Sequence, residues 1–154
     1  MNHVAQLYEE LKSDVVALAD PLFDHCRQGL RARGAFLPHA AALNAEGGVT
    51  LVGAMTGSKD GFANGAQVIA MLHGGLRQMS REKVLVAIAV AEGYSGLRAN
   101  QPLQAIKVAI EHERGLAVAL FLPFQKDDYG VYSFGESFVV PVKPELGLWT
   151  APPP

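Results

Sequence analysis

The sequence predicts an α+β domain: a mainly antiparallel sheet of five to six strands, an N-terminal helix kinked near Pro21, and a second helix near residues 64–79. Three features predict it. Two apolar stretches, Ala105–Glu113 and Leu116–Leu122, alternate in side-chain size with a period of two and are joined by Arg114-Gly115. Two other stretches carry apolar residues at the three-and-four spacing of a helix. Turn residues separate the remaining strand-like runs by loops too short for parallel crossovers.

The first helix spans Asn2 to Asp20, with Val4, Leu7, Tyr8, Leu11, Val15 and Leu18 on one stripe. Leu22, Phe23, Cys26 and Leu30 continue that stripe as far as Gly34, almost in phase. One helix bent at Pro21 therefore fits better than two, with Gly34 as its stop. Ala35–Asn44 and Val49–Met55 form a hairpin around the Gly47-Gly48 loop, and Pro38 places the start of its first strand at an edge or bulge. Turn residues run from Thr56 to Gly61. The helix from Asn64 to Met79 points Val68, Ile69, Leu72, Leu76 and Met79 inward, and Gly74-Gly75 weakens it. Val84–Ala91 is apolar on both faces, as for a strand covered on both sides. Glu92 to Gln101 reads as a polar loop. After the central hairpin, Asp127–Gly130 turns the chain into a last strand broken near Gly135, whose end Pro141 and Pro144 place at an edge.

The whole reads as one domain over residues 1–148, with a frayed tail at 149–154. If its strands pair side by side, the alanines at 87, 89, 91, 105, 109, 117 and 119 share one face. Both layers then need cover. Two helical segments cover one side, and the other needs a partner subunit or a first helix that wraps around.

The element order is similar to that of profilin-like and roadblock-like folds, in which a five-stranded antiparallel sheet carries helices. Gly34–Ala40, Ala105–His112 and Phe121–Phe124 resemble segments of uncharacterised bacterial proteins in which a Gly-x-Phe-x-Pro strand precedes a Leu-Pro-aromatic strand end. That likeness covers about half the chain and implies no catalytic residue.

Composition narrows the function. Charged residues make up 18% of the 154, below the roughly 25% of an average soluble domain. Such a surface points to self-association, most simply a homodimer, or to another protein partner. The 13 basic residues are scattered and the net charge is −2, which argues against nucleic-acid binding. Cys26 is the single cysteine, so no internal disulfide forms. Neither a signal peptide nor a membrane span is expected, and a cytoplasmic location is the default.

No nucleophile elbow, phosphate loop or zinc-protease motif is present. The expectation is therefore a binding protein rather than an enzyme, with no cofactor and no metal. The alternative is a small enzyme or ligand carrier with a pocket at the sheet rim near His39 and His112, where a carboxylate and the two rings also give a conceivable metal site if their strands pair. Glu111-His112-Glu113 is the densest ionisable cluster; it reads either as a solvated strand end or as an acid/base group. Lys59, Asp60 and Asn64 precede the second helix, where they either bind an anion or, through Asn64, cap the helix. Cys26 lies on an apolar stripe and reads as packing rather than as a nucleophile.

Overall fold

A computed structural model describes residues 3–53 and 65–149. The elements run α1 (His3–Glu10), α2 (Lys12–Arg33), β1 (His39–Asn44), β2 (Val49–Val52), α3 (Gly65–Glu82), β3 (Leu85–Arg98), β4 (Gln101–His112), β5 (Ala117–Lys126), β6 (Tyr132–Phe134) and β7 (Phe138–Pro141). All pairings are antiparallel, in the order β2-β1-β3-β4-β5-β6, with β7 also on β5. This is the α+β sheet that the alternating pattern predicts. β6 lies beside Phe124–Lys126 and β7 beside Val118–Phe121, so they are two halves of one interrupted last strand.

The central hairpin is where the alternation places it. β4 and β5 pair from Ala105 opposite Pro123 to Glu111 opposite Ala117, and Gly115 takes the positive φ of 92° that the turn needs. The N-terminal helix differs in detail. Pro21 sits inside α2, and the helical pattern is interrupted at Leu11 (φ −102°, ψ 10°) instead. The i→i−4 bonds Leu11 to Leu7 and Val15 to Leu11 persist across the interruption, each at 3.0 Å. α2 ends as predicted, with Gly34 in the left-handed region at φ 73°.

The segment Glu92–Gln101 corrects the sequence reading. It is not a polar loop but the far half of the β3–β4 hairpin, paired continuously to Arg98 opposite Gln101. Its turn is Ala99-Asn100, both at positive φ (50° and 65°). Alanine carries no turn signal, and the strand looks polar because this end of the hairpin runs beyond the main core.

Cross-strand register also divides the alanines rather than uniting them. Ala87, Ala89 and Ala91 lie opposite His112, Ile110 and Val108, on one face. Ala105, Ala109 and Ala119 share the other face with Val90 and Tyr94. The helices are divided too. α2 packs across β1, β3 and β4 on the first face, and α3 lies over β1, β2 and β3 on the second. The α2-side core joins Val15, Leu18, Leu22 and Cys26 to Ile106, Val108, Ile110 and Val118. The α3-side core is smaller, with Val68, Leu72 and Leu76 over Ile88 and Val90. Leu146 is buried with it, and Trp149 packs against it, so ordered packing reaches the residue at which fraying was expected to begin.

Candidate functional site

His39 and His112, the two sequence-predicted site residues that the structure describes, do not converge. His112 ends β4 and is only 3% exposed. Its Nδ1 accepts the backbone N–H of Arg114 at 3.1 Å, which leaves Nε2 to donate to Asp14 Oδ2 at 2.8 Å. Both ring nitrogens are committed, and a general base needs a free lone pair. The ring instead ties the hairpin turn to α2, and Arg114 reaches Glu10 of α1 at 2.9 Å beside it. The neighbouring Glu111 faces the other way. Its two carboxylate oxygens accept the N–H groups of Leu146 and Gly147 at 2.9 and 2.8 Å and hold the C-terminal segment to the sheet.

His39 opens β1 and stacks on His25 of α2, with centroids 4.2 Å apart and planes at 26°. Burial, and then the neighbouring His25, push its imidazole below the ordinary value. His39 pairs with Ala91 and His112 with Ala87, on opposite sides of β3. Strand geometry separates their Cα atoms by about 17 Å. The rim pocket and the metal site imagined between these two rings are therefore not assembled. Among the described residues, no group of three or more His, Cys, Asp or Glu is placed to hold a metal ion. Lys59, Asp60 and Asn64 lie outside the described residues. Cys26 is fully buried and burial pushes its thiol up to about 12, so it packs and does not attack.

A different site appears on the α3-side face, beyond the reach of α3. Register builds it. Glu92, Lys107, Phe121 and Phe138 form one cross-strand row, and Tyr94, Ala105 and Pro123 form the next. Phe121 is its centre: the Tyr94 ring meets it edge-on at 5.0 Å, and the Phe138 ring stacks on it at 5.1 Å with planes 12° apart. Leu97, Leu103 and Val140 complete a groove of about 490 Å³. Leu97, at the tip of the β3–β4 hairpin, is 68% exposed.

Charge marks both ends of the groove. At the hairpin end, the Arg98 guanidinium lies 3.6 Å above the centroid of Phe138. No hydrogen bond or ion pair engages it among the described residues. At the α3 end, Lys107 Nζ is 3.6 Å from Glu145 Oε1. Glu92 stands beside Lys107, and burial pushes its carboxyl above the usual carboxylate range. Lys107 and His73 work against that rise, and Glu145 adds to it.

Sequence reasoning missed this groove because its three rings lie far apart along the chain. Only the register brings Phe121 against both Lys107 and Phe138. The available signal was alternation through Glu92, Tyr94 and Arg98, which a loop does not require. Chemically, the groove offers apolar area, aromatic faces and one unpaired cation. It lacks the paired nucleophile and base that covalent catalysis needs. No family model, curated protein or solved structure matches this chain.

Proposed function

We propose that this chain acts by binding rather than by catalysis, and that its first partner is a second copy of itself. One observation carries the reading: the edge at β7. Among the described residues, β7 has a neighbouring strand only on its β5 side. Val139 and Val140 there are 40% and 38% exposed, although they point to opposite faces of the sheet. On one side of this edge lies the aromatic groove. On the other lies a recess of about 330 Å³ between α1 and the sheet, bounded by Val4, Tyr8, Val118 and Pro141. An apolar edge with apolar hollows on both sides is costly to leave in water. A second β7 laid antiparallel across a two-fold axis extends the sheet and covers both valines.

The low charge of the chain supports the same reading, as does the commitment of both His112 nitrogens to structural hydrogen bonds. Light scattering across micromolar concentrations tests it. The wild type is expected to run as a dimer, and Val140→Asp as a folded monomer. A wild type that stays strictly monomeric overturns it.

A further inference from the structure

We infer that the groove formed by Tyr94, Leu97, Leu103, Phe121, Phe138 and Val140 is a binding site for a small aromatic or aliphatic carboxylate, held head-first by Arg98. The inference rests on the reading of this chain as a binding protein, but not on the self-association at β7. Its size of about 490 Å³ falls within the roughly 300–1,000 Å³ of small-molecule sites. Its floor is two packed ring pairs, which offer flat apolar area at little entropic cost.

Arg98 supplies the charge preference. A guanidinium stacked on a ring uses its flat face, and its N–H edges remain free. Those edges match a carboxylate in a two-point hydrogen bond. In this chain they meet no protein acceptor among the described residues, while the ring of Phe138 at 3.6 Å holds the group in place. A cation already oriented before binding loses less freedom when an anion arrives. The opposite end of the groove disfavours an anion. The charge of Lys107 is engaged by Glu145, and Glu92 adds a second carboxyl beside it. An acid therefore enters with its apolar body toward Phe121 and its carboxylate at the hairpin tip.

Naphthoate and naphthamide test this, because they share ring and shape and differ in charge. Each is titrated into the intact chain and followed by NMR at Tyr94, Phe121 and Phe138. Naphthoate is expected to bind about tenfold more tightly than naphthamide, through charge-assisted hydrogen bonds. Arg98→Gln is expected to abolish that preference, so that the two probes bind equally. Arg98 is exposed, so the variant keeps the fold. Lys126→Gln, which removes a cation stacked on Tyr132 of the opposite face, is expected to preserve the preference. Equal binding of the two probes, or a preference that survives Arg98→Gln, overturns the assignment to carboxylates while the groove stands as an apolar site. If neither probe shifts the three rings, the groove is not a small-molecule site at all, and the dimer reading is judged separately by light scattering.

Discussion

The two faces of the sheet are built from the same kinds of residue and meet different fates. On the α2 side, Ile106, Val108, Ile110 and Val118 lie under a long helix and are essentially removed from water. On the α3 side, the helix seals Ile88 and Val90 but stops short of Tyr94, Phe121 and Phe138, which form a groove. Apolar composition alone therefore does not reveal which strand surface is sealed from water and which is left open. Cover decides, and cover depends on where a helix ends.

The contrast can be broken by substitution on each face. The largest effect belongs to the covered one. Ile110→Ala removes a fully buried side chain beneath α2 and is expected to cost about 2–5 kcal/mol in denaturant unfolding. Glu111→Ala is next. It leaves the Leu146 and Gly147 N–H groups without their acceptor and is expected to cost about 2–3 kcal/mol, read in the same way, together with faster amide exchange at those two residues. Phe138→Ala on the open face is expected to cost about 1–2 kcal/mol, because the ring is only partly buried, and yet to remove naphthoate binding.

Smaller effects come from pH and from the helix that covers half a face. Glu92 holds its proton to higher pH when folded than when unfolded. Its contribution to stability therefore declines as pH rises from the ordinary carboxylate value to the raised one. Glu92→Gln is expected to increase the Tm at neutral pH and to change little in acid. His39 has the opposite sign: its imidazole stays neutral to lower pH in the folded chain. Stability is then lost as pH falls through the ordinary imidazole value, and His39→Gln is expected to flatten that part of the profile. Gly74→Ala is the smallest change. No atom lies within 4 Å of the added carbon, and helix propensity predicts a gain of about 0.5–1 kcal/mol.

Much of the sheet was legible because strand alternation is local. Ile106, Val108 and Ile110 declare their face within one strand, and Gly115 declares the turn. The β3–β4 hairpin beyond Glu92 was not legible, because Ala99 closes it with a backbone conformation that its side chain does not advertise. The division of the alanines between faces depends on register, which is a relation between strands and not a property of either. The site was hidden for the same reason. His112 attracted attention as an ionisable residue on an apolar face, but Asp14, nearly a hundred positions earlier, turns it into a strut. Arg98 carried no signal until Phe138 was known to lie beneath it.

The open half of the α3-side face is where solvent access is decisive. Relaxation of side-chain NMR signals by a soluble paramagnetic agent reads it in Val139→Asp, which charges the same β7 edge but points away from the Phe138 face. Strong enhancement is predicted for the Leu103 methyls and the Phe138 ring, and almost none for the Val108, Ile110 and Val118 methyls. Equal protection of both sets would show that the groove is covered, and would contradict the account.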